Sequence, residues 1–131
     1  MSQNNHYAAI DRLLLASIFV LSGFSKISAP EATQGYIASV GLPVPMLANL
    51  AAIVAELGGG ILLVVGYHAR VVSLLLAAFT VVTALFFHRN FGDQNQMMHF
   101  LKNIAIAGGL LQITAFGADR FSLDARRLAT V

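Results

Sequence analysis

Glu56 is the only charged residue in the 22-residue stretch Met46–Tyr67, and it stands at the centre of that stretch. At about 1.5 Å of rise per residue, the stretch is long enough to cross the hydrocarbon core of a bilayer as a helix. A carboxylate at that depth costs roughly 2.5–3.5 kcal/mol on insertion scales, so Glu56 is expected to face protein or a wet cavity and to have a partner. The chemistry open to it is proton exchange or a hydrogen bond to the polar head of a ligand.

Other polar groups fall on the same side once the apolar segments are laid out in alternating directions. Lys26 ends the first segment, His88 and Arg89 follow the third, and His99 and Lys102 occupy the first turns of the fourth. The opposite half of the bundle reads as almost purely apolar. Ala52, Glu56, Gly59, Gly60 and Leu63 share a helix face at i±3/i±4 spacing, and Lys102, Asn103, Ala105 and Gly109 make a comparable strip. A Glu56–Lys102 pair across the bundle is the expected arrangement, each side chain offsetting the other's burial. Such a pair has two roles open to it, fixing helix register or forming a relay or ligand-head site.

The ligand-binding candidates are therefore Glu56, Lys26, His88, Lys102 and Asn103, with Arg89 and His99 secondary. Each has a plainer reading beside it. Lys26 alone is a lysine reaching for the interface, and His88-Arg89 is an interface anchor. His88 and His99 lack the spacing and companion ligands of a metal or haem site. Phe86, Phe87, Phe91 and Phe100 crowd the same side; membrane-level packing accounts for them first, although a flat quinone ring suits such walls.

Four segments must position these groups, at about 7–26, 46–67, 71–87 and 98–118, each near the roughly 20 residues a span needs. Helices are required, because an open sheet leaves backbone groups unsatisfied in lipid. The fold class is all-α, a transmembrane four-helix bundle forming one membrane domain over residues 1–131, with a charged tail at 119–131. His68-Ala69-Arg70 reads as a tight turn between antiparallel neighbours. Ser28-Ala-Pro-Glu31 reads as a helix start, with Ser as cap and Pro in the first turn. Tyr36, Ile37 and Val40 then share a face before Gly41 and the Pro43/Pro45 pair stop the helix. This predicts a short interfacial helix between spans one and two, an anchor at the membrane surface or, in its functional version, a lid. Phe91–Gln96 reads as a polar loop.

Composition agrees with a membrane setting. Of 131 residues, 57% are hydrophobic and 11% charged, against about 25% charged in soluble domains; the mean hydropathy is +0.75. The chain has no cysteine, which removes disulfides, thiolate metal sites and thiol catalysis. No basic run supports nucleic-acid binding at a net charge of +2. The N-terminus lacks a signal-peptide pattern, so the first apolar segment is expected to stay as a span. Arg12, Arg70, Arg120, Arg126 and Arg127 gather on one side, against Lys26, Arg89 and Lys102 on the other, which predicts cytoplasmic termini. No phosphate loop, metal spacing or Ser–His–Asp order is present, and Gly58-Gly59-Gly60 reads as close helix packing. The isolated chain thus leans away from catalysis.

Arg12-Leu-Leu-Leu, Ser22-Gly-Phe-Ser-Lys26, Glu56-Leu-Gly-Gly-Gly60, Gly66-Tyr-His-Ala-Arg70, His88 with Asn90-Phe91, and Lys102-Asn103 occur in an order that resembles the DoxX family of small bacterial membrane proteins. The likeness runs from about Arg12 to Ser122 and extends to a branch of enterobacterial inner-membrane relatives with short tails. The resemblance implies a four-helix inner-membrane protein, with Glu56, Lys26, His88, Lys102 and Asn103 on the family's polar motif positions. It also implies a link to respiratory complexes, since the family is named for a subunit associated with quinol or thiosulfate–quinone oxidoreductase activity.

Three functions follow in order. The first is a redox-associated subunit that binds a quinone-like or other polar-headed ligand in the outer half of the bundle. Its partners would be lipid and a redox subunit that supplies electrons. The second is a non-catalytic scaffold or stress protein. The third is a small-solute or proton transporter, acting as a homo-oligomer through its Ala/Gly helix faces.

Overall fold

A computed structural model describes residues 2–39, 41–87 and 92–129, and every regular element among them is a helix. The first helix, α1 (Ser2–Ser28), turns Arg12, Leu15, Ala16, Phe19 and Gly23 inward at helical spacing. Leu14, Leu21 and Phe24 stay exposed on its other side. The same pattern recurs throughout: large apolar side chains such as Val54, Leu75 and Phe116 stand outside the fold. An apolar exterior of this extent needs lipid to cover it.

Helix α2 (Pro30–Ser39) follows after a break at Ala29. The expected Ser28 cap does not form. Its hydroxyl instead donates to Phe24 O at 3.1 Å, and the chain turns with Ala29 N–H donating to Ser25 O at 3.2 Å. Pro30, which has no N–H to satisfy, opens the new helix. Ile37 is buried, whereas Val40 lies outside the described residues.

The second span is one rod with a defect in it. Helix α3 (Pro45–Ile53) passes into a π-helical turn, Val54–Gly58, and then into α4 (Gly59–Val65). The glycines that follow Glu56 have low helix propensity, so the wider turn costs little there. The third span is α5 (Ala69–Phe87). Three helical stretches, Asn5–Ser28, Pro45–Val65 and Ala69–Phe87, are long and apolar enough to cross a membrane.

Helix α6 (Gln94–Phe116) has the length, but Lys102, Asn103 and Gln112 dilute its apolar character, and it is not among those three. It also starts earlier than expected, inside the supposed polar loop. Asp93 accepts a hydrogen bond from Asn95 N–H at 3.0 Å and caps it there.

The helices pair as α1 with α4 and the π turn, and as α5 with α6. The pairs meet in a core of Leu15, Phe19, Leu63, Leu76, Ala77 and Leu110. A hydrogen bond of 2.8 Å between Ser73 and Thr114 adds a polar tie between α5 and α6. After α6 the chain folds back over this end of the bundle, burying Asp119 and Ser122, and finishes in α7 (Leu123–Ala129). Asp124 accepts from the N–H groups of His68 and Ala69, both at 2.7 Å, and so caps α5. The tail expected beyond Ala118 is therefore docked.

Candidate functional site

Glu56 sits inside the π turn and is only 6% exposed. Turns of this kind are rare, and they often accompany functional positions. The carboxylate is reached by Lys26, whose Nζ lies 3.0 Å from each of its oxygens and 3.0 Å from Ser22 Oγ. Gly23 makes this approach possible. A Cβ at that position would stand 2.7 Å from Leu57 Cγ and 3.3 Å from Glu56 Cβ, so a larger residue would hold α1 away from the π turn.

The expected Glu56–Lys102 pair does not form. Lys102 is exposed on α6, and the partner is Lys26, one helical turn above Ser22 on α1. The Lys26 side chain is 24% exposed, and it lines the edge of a cavity while its ammonium reaches Glu56.

That cavity has a volume of about 740 Å³, within the range of small-molecule sites. Lys26 and Glu56 form part of one wall, Thr80 and Thr83 of α5 and Asn103 of α6 part of the other. Phe19, Phe79, Phe86, Phe87 and Ile106 supply much of the apolar surface. Asn103 donates to Thr80 O at 3.4 Å. Thr33, Tyr36 and Ile37 place α2 over the cavity, and Tyr36 ties it to the end of α5. Its hydroxyl donates to Phe87 O at 3.2 Å, and its ring stacks on Phe87 at 5.3 Å. Helix α2 thus lies across one side of the cavity.

Of the candidate residues, the structure brings Glu56, Lys26 and Asn103 to one cavity. Lys102 and His99 are exposed on α6 and do not line it. His88, Arg89 and Phe91 lie outside the described residues, and Phe100 does not line the cavity. Among the described residues, no three His, Asp or Glu side chains gather to hold a metal ion.

The pattern of an α1 lysine paired to a glutamate in a glycine-rich second span lies within the region matched by a family model. The DoxX model matches residues 8–89. The chain belongs to the DoxX family. Inner membrane protein YqjF of Escherichia coli (strain K12) is 35% identical over 115 residues, covering 88% of this chain and 87% of that protein. Inner membrane protein YphA of the same organism is 37% identical over 122 residues, covering 89% and 87%. No solved structure matches the chain.

This DoxX protein also has a second polar centre, which sequence reading missed. The end of the bundle opposite the cavity is not purely apolar, because Arg12 and Asp119 are buried there at 3% and 5% exposure. Arg12 donates to Asp119 Oδ2 at 2.9 Å, to Leu63 O at 2.8 Å and to Val64 O, so it also satisfies carbonyls at the end of α4. Burial by itself would raise the Asp119 carboxyl. The hydrogen bond and charge of Arg12, with Phe121 N–H, more than offset this and hold it below its ordinary value. An arginine one turn inside an apolar helix was the available signal, but nothing local identifies a partner 107 residues away.

The Ala/Gly faces expected to join copies are partly consumed within the chain. Gly59 lies against Leu76, and Gly60 lies against Val20.

Proposed function

We propose that this DoxX protein is an inner-membrane ligand-binding subunit, with both termini in the cytoplasm, which holds a quinone-like or other polar-headed molecule in the cavity beneath α2. The observation that carries the reading is an ion pair set in the wall of an otherwise largely apolar, aromatic-lined cavity of about 740 Å³. A ligand body packs on Phe79, Phe86 and Phe87 while its head meets Lys26, Glu56 and Asn103. With no cysteine in the chain, electrons for any redox chemistry come from a partner subunit. The lipid-facing exterior and the two Escherichia coli relatives, both inner membrane proteins by name, support the location.

Binding is favoured over transport by the layer next to the cavity. Leu15 precedes Phe19 by one turn, Leu76 precedes Thr80, and Leu110 follows Ile106, and together with Leu63 they close the bundle. A solute passing through one chain would have to part this layer and then the Arg12–Asp119 pair.

The test is extraction into native-lipid particles and mass spectrometry of bound small molecules, comparing the unmodified chain with Glu56→Gln. A polar-headed ligand held by the first and missing from the second is the expected result. Bulk lipid alone in both, with helix content intact by circular dichroism, overturns the reading and leaves a scaffold.

A further inference from the structure

The hydrogen-bond capacity of the cavity wall is unbalanced, and the imbalance selects the ligand. Lys26 has three N–H donors, and all three have acceptors, one on Ser22 and two on Glu56. The hydroxyls of Thr33, Tyr36, Thr80 and Thr83 donate to the backbone oxygens of Ala29, Phe87, Leu76 and Thr80. One Asn103 N–H goes to Thr80 O. Among the described residues, the donors left over are the second Asn103 N–H and the hydroxyls of Ser22 and Ser25.

Acceptor capacity is much less used. Each Glu56 oxygen takes one hydrogen bond from Lys26, so about half of the roughly four lone-pair sites of a carboxylate are open. Asn103 Oδ1 has no partner among the described residues. The charges of Lys26 and Glu56 cancel, and among the described residues no other charged side chain lines the cavity. An anion would meet the carboxylate, and a cation the ammonium.

We infer that the ligand is a neutral, ring-bearing amphiphile that enters as a hydrogen-bond donor, through a phenol-type hydroxyl directed at the Glu56 carboxylate, and not as a carbonyl acceptor. For a quinone-like couple this means preference for the hydroxyl-bearing reduced form. A hydroxyl hydrogen bond to a carboxylate is charge-assisted and needs no rearrangement of the Lys26–Glu56 pair. A carbonyl finds only the neutral donors of Asn103, Ser22 and Ser25, or must draw Lys26 away from Glu56 and leave a buried carboxylate short of its cation. The inference rests on the proposal that this cavity binds a ligand, and it adds which chemical end the cavity reads.

The experiment uses two probes that differ at one group, 4-nonylphenol and 4-nonylanisole, titrated into the full chain in phosphatidylcholine nanodiscs. Bound probe is read by native mass spectrometry against protein-free nanodiscs. The phenol should bind about tenfold tighter or more. In Glu56→Gln, whose amide brings N–H donors and no charge, the ratio should fall to within about threefold. Equal binding of the two probes to the unmodified chain, or tighter binding of the anisole, overturns the inference while leaving the cavity a binding site. A phenol preference that survives unchanged in Glu56→Gln also overturns it, because the hydroxyl is then read elsewhere. Neither probe bound above background overturns the binding-site reading and this inference with it.

Discussion

Lys26 and Glu56 come from different helices, and the lysine contacts both carboxylate oxygens at 3.0 Å. The pair joins α1 to the π turn on the side where the bundle opens into the cavity. Removing the lysine leaves a nearly buried carboxylate without its cation. We expect Lys26→Met to cost about 2 kcal/mol, the low end for breaking a buried charge pair because the ammonium is partly exposed. Lys26→Met combined with Glu56→Gln should cost less than the sum of the two. Circular dichroism melts of the four proteins in one detergent check this as a double-mutant cycle.

Gly23 sets the distance across which that pair forms. Gly23→Val places atoms where Leu57 Cγ now lies 2.7 Å from the site of a Cβ. The expected cost is about 1–3 kcal/mol from overpacking, with a lower melting temperature and, under the proposed ligand-binding function, weaker retention of any ligand. Unchanged melting would mean that α1 and the π turn do not approach this closely.

Arg12 and Asp119 are expected to be the more stabilising pair, because both are buried. Arg12→Ala should cost about 3–5 kcal/mol, more than Lys26→Met. The pH dependence has a definite sign. The Asp119 carboxyl is held below its ordinary value in the folded chain, so its contribution is fully present above the unfolded value of about 3.9 and is lost as pH falls through the lower folded one. Melting of the native chain should therefore drop in that acid range. The drop should be smaller in Asp119→Asn, measured in the same detergent.

Asp124 closes the turn between α4 and α5 from the far end of the chain. Asp124→Ala removes the acceptor for two backbone N–H groups at the start of α5. The expected cost is about 1 kcal/mol, as for other caps. Hydrogen exchange followed by mass spectrometry should show faster exchange confined to peptides covering His68 to Val72. Exchange unchanged there would mean that water replaces the cap without loss.

Sequence alone was enough for the membrane setting, the all-α class and the family. The first two follow from mean hydropathy, span length and the need to satisfy every backbone group in lipid, all properties of local stretches, and the family resemblance came from the order of the motifs between Arg12 and Asn103. It also singled out Glu56, because one carboxylate in 22 otherwise uncharged residues has a cost that demands a reason. Which cation answers Glu56 was settled only by tertiary packing. Lys26 and Lys102 both lie toward the outer side, and the choice depends on the close approach at Gly23 and on the rotation of α6, which turns Asn103 inward and Lys102 outward. The π turn was likewise hidden, since a triple glycine fits tight packing as well as a widened turn. The Arg12–Asp119 pair needed the chain to fold back on itself across 107 residues. Hydropathy identifies what must be buried, but the partner of a buried charge depends on helix rotation and approach, which only the assembled bundle determines.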